Sequence, residues 1–302
     1  MTYRATLVAA ATVVTLASPA AALVLCEAPS GSITLRAACQ PTEIQLDSAA
    51  VADALPCPPD AMKVGPTCVD KYEASIWQIP PDQPQLVEQV KTGTATADDL
   101  HAGGAEEVAG SDACHCDPLC KDLMQFPSTF PNTGNWTAPL HAASVAGVAP
   151  AVCVTWFQAE QACALSGKRL LTNQEWQRAA AGTPDGAPCV VSGGAMKTGA
   201  NPGCVSTFGI FDMVGNVWEW VGDWGDMTEQ CTNWPSAFGS DASCVGGPGG
   251  SGYLGYPGAR HRGGDYEPAN APGVFAISDG MAKFTAGAPS YSSSAIGFRC
   301  GR

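Results

Sequence analysis

The chain has 302 residues, enough for one large or two ordinary domains with a buried core, so instability through small size is excluded. Charged residues make up only 14% and hydrophobic ones 45%, which excludes disorder driven by charge, while 34 Gly and 24 Pro exclude a fold dominated by long helices. With 15 Lys and Arg against 28 Asp and Glu, the net charge of −13 repels phosphate backbones and anionic lipid, so no nucleic acid partner is expected.

In chain order, Arg4, the apolar stretch 5–17 and Pro19-Ala20-Ala21-Ala22 form a signal peptide, residues 1–22, with cleavage expected after Ala22. The apolar run falls short of the ~20 residues a membrane span requires, and no later segment reaches that length, so no transmembrane segment is expected. Cys26 follows Leu23-Val24-Leu25, without the small residue that lipoprotein processing expects before its cysteine. Fourteen cysteines, an even number, match an oxidising compartment, and the expected location is secreted or periplasmic.

Residues 23–55 read as a disulfide-clipped N-terminal arm and linker, and 56–302 as the main domain. Cys68-Val69-Asp70-Lys71-Tyr72-Glu73 alternates like a strand. Residues from about 80 to 150 are polar and aperiodic, and are expected to form a loop insertion. Thr155 with Gln158, and Thr172 with Glu175, have capping-box spacing ahead of apolar positions at helical intervals, with Gly167 and Gly182 as stops. Val217-Trp218-Glu219-Trp220-Val221 and Ile296-Gly297-Phe298-Arg299-Cys300 alternate at period two, as strands do. Helices followed by short strands and long coils predict an α+β domain of low regularity, rich in disulfides.

Short-loop pairings Cys26–Cys39, Cys57–Cys68, Cys189–Cys204 and Cys231–Cys244 are expected. Cys114, Cys116, Cys120 and Cys153 then remain, either as two more disulfides or, with His115 inside Cys114-His115-Cys116, as a soft-metal or redox site. His101, His115, His141 and His261 have no partner at metal-ligand spacing and are expected at the surface. No nucleophile elbow is visible, and Asn135-Trp136-Thr137 is a glycosylation sequon.

The block Gly209-Ile210-Phe211-Asp212-Met213-Val214-Gly215-Asn216-Val217-Trp218-Glu219-Trp220 is the most specific stretch. With Gly167-Lys168-Arg169-Leu170, Thr172, Glu175-Trp176, Arg262-Gly263-Gly264 and Gly297-Phe298-Arg299-Cys300, in that family's order, it resembles the formylglycine-generating enzymes, or sulfatase-modifying factors, over roughly 56–302. The resemblance implies their fold, distantly similar to C-type lectins, and a Cys163–Cys300 disulfide. It also implies a structural calcium held by side-chain oxygens of Asp212 and Glu219 and by carbonyls of Gly215 and Val217, a shell that suits a hard cation. Such enzymes oxidise a sulfatase cysteine with dioxygen and a copper(I) held by two thiolates shortly after the Arg-Gly-Gly block. Here the window 262–275 contains no cysteine, so copper is not expected. Sulfoxide synthases of ergothioneine-type pathways share this domain type but add a helical iron-binding domain, which is not expected to fit before Cys57.

Two functional classes follow. The first is a non-catalytic module binding a peptide, protein or glycan through a groove at Asp265, Tyr266, Glu267 and Asn270, whose acidic rim would favour cationic or hydroxyl-rich ligands. The second is an oxidoreductase of the formylglycine-generating type or a divergent metal-dependent relative. An intact scaffold without the thiolates favours the first.

Overall fold

A computed structural model describes residues 24–46, 56–108, 139–224, 227–230, 243–246, 258–267, 272–278 and 293–302. The chain divides into two compact units, Met1–Leu55 and Pro56–Arg302. In the first, β1 (Val24–Glu27) pairs antiparallel with both β2 (Ile33–Arg36) and β3 (Ile44–Leu46), and the Cys26–Cys39 disulfide clips the sheet.

The second unit opens with the hairpin β4 (Ala61–Val64) and β5 (Thr67–Asp70), which joins β16 (Cys300–Gly301) and β9 (Arg169–Leu170) in the order β4-β5-β16-β9. The strand expected through Glu73 ends at Asp70, and the next, β6 (Ser75–Gln78), is the centre of a sheet flanked by β7 (Glu106–Val108) and β8 (His141–Ala143). Between β6 and β7 the structure departs from the expected loop insertion: α1 (Pro84–Thr92) and α2 (Ala97–Ala102) bury Leu86, Val90 and Leu100 beside Trp77 and Ala143. Pro84 stands near the start of α1, where its missing N–H costs nothing, and Thr96 with Asp99 closes a capping box on α2.

Both helices read from capping boxes are present. Helix α3 (Trp156–Leu165) is capped by Thr155 and Gln158, and α4 (Asn173–Ala179) by Thr172 and Glu175. The platform for the candidate site is the sheet β14-β13-β10-β15, in which β10 (Trp218–Trp224) lies antiparallel to β13 (Ala259–Arg262) and parallel to β15 (Ile296–Phe298). β14 (Ile277–Ser278) forms its edge, and β11 (Met227–Gln230) pairs with β12 (Ser243–Gly246) as a separate ribbon.

Alternation along β10 sorts its side chains. Trp218 and Trp220 enter a core with Ile76, Val154 and Phe298, while Val221 joins Trp176, Ile210 and Met213 in a second core. The disulfides Cys57–Cys68, Cys163–Cys300 and Cys189–Cys204 are formed as expected, and Cys163–Cys300 ties α3 to β16. Cys153 is also disulfide-bonded, whereas Cys114, Cys116, Cys120 and the Cys231–Cys244 pairing lie outside the described residues. The signal segment 1–22 also lies outside them. Among the described residues no helix is long and apolar enough to cross a membrane.

Candidate functional site

The loop from Asp212 to Val217 bends sharply before β10 begins. Asp212, Gly215 and Asn216 all have positive φ, at 59°, 71° and 56°, a conformation that Gly adopts freely and that Asp and Asn tolerate best among the other residues. Gly215 has a second constraint, because a Cβ there would lie 2.2 Å from the Val190 carbonyl oxygen. Asn216 fastens the loop: its N–H donates to Val190 O at 2.7 Å, its Oδ1 accepts from Met196 N–H at 2.7 Å, and its Nδ2 donates to Glu73 Oε2 at 2.5 Å.

Around this loop the fold buries the carboxylates of Glu73, Asp212 and Glu219 with the guanidinium of Arg299. Parallel pairing of β10 with β15 sets Glu219 opposite Gly297, two residues before Arg299. Arg299 Nη2 donates to Glu219 Oε1 at 2.6 Å, its Nε reaches both Glu219 oxygens, and Trp176 Nε1 donates to Oε2 at 2.7 Å. The remaining Arg299 donors satisfy the carbonyls of Asp70 and Phe211. Asp212 Oδ2 accepts from Gly199 N–H at 2.7 Å. Burial alone would pull the Arg299 pKa down, but Glu219, then Glu73 and Asp212, outweigh it and keep the group charged. Burial pushes Asp212 up to about 6, and burial followed by the charges of Asp212 and Glu219 pushes Glu73 well above the usual carboxylate range.

The residues assigned to calcium by resemblance meet the ion's chemistry in type and in charge. Two carboxylates and two loop carbonyls make a hard-oxygen set, and three buried carboxylates against one guanidinium leave negative charge that a divalent cation offsets. Glu219 would share its carboxylate with Arg299. The ligand atoms of Glu73, Asp212 and Glu219 do not all fall within 4.8 Å of one another. The set of Cys26, Cys39 and Glu43 does meet that distance, but Cys26 and Cys39 are joined to each other and offer no thiolates.

The window that begins at Arg262 packs directly against this loop. Arg262 stacks on the Trp176 ring with 4.6 Å to its centroid, and its guanidinium is received by Asn173, Gln177 and the carbonyls of Val274 and Ala276. Burial, with Arg260 nearby, lowers its pKa to about 10, so it stays protonated at neutral pH. Of the groove residues, Asp265 is buried, with Oδ1 accepting from Glu267 N–H at 2.7 Å, rather than standing on an open rim. Tyr266 is half-buried and Glu267 exposed, while Asn270 lies outside the described residues.

His141 and His261 are buried, not at the surface as expected, whereas His101 is exposed and His115 lies outside the described residues. His261 faces the rings of Trp218 and Trp220 at 4.7 and 5.2 Å, and its Nδ1 has no hydrogen-bond partner. Burial lowers its pKa to about 3. A second feature that the sequence does not announce is an open cleft of about 450 Å³ lined by Lys71, Tyr72, Thr94, Asp98 and Ser144 among others.

Residues 129–203 and 190–302 match the family model of the sulfatase-modifying factor enzyme 1-like domain, more than half of the chain, and the protein belongs to that family. Over 120 residues it is 31% identical to the hercynine oxygenase of Mycolicibacterium thermoresistibile, an alignment covering 34% of this chain and 27% of the relative. With the hercynine oxygenase of Mycolicibacterium smegmatis the identity is 33% over 99 residues, covering 27% and 23%. The chain thus spans about a quarter of the length of these curated relatives. Among solved structures, the Major Tropism Determinant I1 variant aligns at 16% identity and a TM-score of 0.44, covering 95% of this chain and 73% of that one. CarF aligns at 18% and 0.36, covering 78% and 85%.

Proposed function

We propose that this protein is an exported member of the sulfatase-modifying factor family that binds a peptide, protein or glycan through the 263–267 window, with calcium as a structural ion in the neighbouring loop. The observation that carries the reading is the cysteine inventory. The window 262–275 has no thiol, and Cys300, the nearest later cysteine, is spent in a disulfide with Cys163. A soft copper(I) ion therefore lacks the adjacent thiolate pair that the family's oxidation chemistry needs. The scaffold around the window is kept, down to the stacking of Arg262 on Trp176. Tyr266 and Glu267 offer an aromatic ring, a phenolic hydroxyl and a carboxylate, groups that recognise cationic or hydroxyl-rich ligands. Export rests on the signal-like N-terminus and on the disulfides, which persist in an oxidising compartment.

The similarity to hercynine oxygenases supports a second reading, an oxidoreductase with a relocated metal site. One assay separates the two. A cysteine-containing sulfatase-type peptide is incubated with the protein, copper(I) and dioxygen, and followed by mass, beside an active family member and the Cys116→Ser variant. No mass shift is expected. Turnover that disappears in Cys116→Ser would replace the binding reading with a relocated copper site.

A further inference from the structure

We infer that calcium in the loop 212–219 governs the shape of the ligand window at 263–267, although no residue of that window ligates the ion. The inference rests on the proposal that the loop binds calcium, and the geometry supplies the coupling. Gly215, whose carbonyl belongs to the proposed calcium shell, donates its N–H to Gly263 O at 3.2 Å. Asn216, between the two carbonyl ligands, accepts from Tyr266 N–H at 3.1 Å. The loop and the window therefore share two backbone hydrogen bonds, one at each end of Gly263-Gly264-Asp265-Tyr266.

Packing makes the connection stiff. A Cβ on Gly263 would lie 3.0 Å from Met213 O and 3.1 Å from the Trp176 ring, so the two backbones are in close approach. The Gly263 carbonyl also accepts from Gly273 N–H at 3.1 Å, which carries the same contact to the far side of the window. Apart from an ion, the loop is tied to the rest of the domain at its start by Asp212, whose N–H donates to Cys204 O at 3.0 Å and whose Oδ2 accepts from Gly199 N–H, and at its end by Asn216 and by Glu73, whose Oε1 accepts weakly from Val217 N–H at 3.4 Å. An ion drawing together Asp212, the Gly215 and Val217 carbonyls and Glu219 fixes the 215–216 and 217–218 peptide planes; the first adjoins the 214–215 plane, whose Gly215 N–H holds Gly263, and the two flank the 216–217 plane, whose Asn216 carbonyl holds Tyr266. Ligand binding at Tyr266 is then calcium-dependent without any ligand–calcium contact.

The test pairs calorimetric calcium titration of the whole chain with amide hydrogen exchange in calcium and in EGTA. Calcium is expected to bind and to slow exchange across 263–267 about fivefold to tenfold, the effect of securing one or two backbone hydrogen bonds, while helix 156–165 is unchanged. Asp212→Ala should erase the difference, with the milder Asp212→Asn read alongside it in case the alanine variant does not fold. Binding heat with unaltered exchange at 263–267 would refute the coupling and leave the calcium site standing. No binding heat would overturn the inference at its premise, the calcium site itself.

Discussion

Replacing Arg299 with Met removes the one buried cation of the Glu73, Asp212 and Glu219 cluster while keeping most of the side-chain volume. Glu219 would keep only the Trp176 N–H, and the carbonyls of Asp70 and Phe211 would lose their donors. Breaking a buried pair by deleting one partner costs about 3–5 kcal/mol, and each orphaned carbonyl adds roughly 1 kcal/mol or more, so a loss of about 5 kcal/mol is expected. For a domain of this size that corresponds to a fall in Tm of about 10–20 °C. Urea denaturation followed by tryptophan fluorescence measures it, since Trp176 and Trp220 are fully buried and Trp176 bonds directly to Glu219. The double variant Arg299→Met with Glu219→Gln discriminates the cause: removing the stranded charge should restore part of the loss, so the two substitutions together cost less than their sum. A loss below about 1 kcal/mol for Arg299→Met, or strict additivity, would show that the ion pair does not hold the two strands.

The Gly215→Ala variant should be destabilised by several kcal/mol, because its Cβ meets the Val190 carbonyl at 2.2 Å and its φ is +71°; a near-normal Tm would mean that the loop readily relaxes. His261→Phe should be neutral or stabilising at pH 7, since it removes an unpaired ring nitrogen from between two tryptophans. It should also flatten the acid side of the stability profile. The native pKa of about 3 lies below the ordinary 6.5, so the unfolded chain binds the extra proton and stability is lost as pH falls from 6.5 towards 3. In calcium-free buffer Asp212, raised to about 6, has the opposite sign, its contribution being complete below 3.8 and lost as pH rises through 6. Denaturant titrations of wild type and His261→Phe at several pH values separate the two, and equal acid slopes would show that His261 is not buried neutral.

What could be read from the sequence was what local chemistry encodes. The capping boxes at Thr155 and Thr172 announced α3 and α4 because the signal lies within four residues of each start. Helices α1 and α2 are hard to read from the sequence because each is short: Leu86, Val87 and Val90 on one and Leu100 on the other give too brief a run of turns for a period to stand out in a polar stretch. Their hydrophobic partners, Trp77 and Ala143, come from strands elsewhere in the chain. The histidines misled for a related reason. A lone His reads as a surface residue, but His261 sits opposite Trp220 on a strand inside the sheet, a position that only strand order creates.

The site divides along the same line. The Asp212 to Glu219 block was visible because its members are contiguous, whereas the groups that decide its electrostatics come from far along the chain. Glu73 arrives from the turn after β5, and Arg299 from the β15–β16 junction, placed by the parallel pairing of β10 with β15. A hint did exist. Glu219 lies between two core tryptophans, and Arg299 between Phe298 and Cys300, so each charge is embedded in an apolar strand where an unpaired ion would be costly. Charges in such positions need each other or an ion, and this cluster holds one cation for three carboxylates. That imbalance links the two proposals: a structural cation would neutralise the cluster, and the backbone it steadies is the one that holds Gly263 and Tyr266 in place.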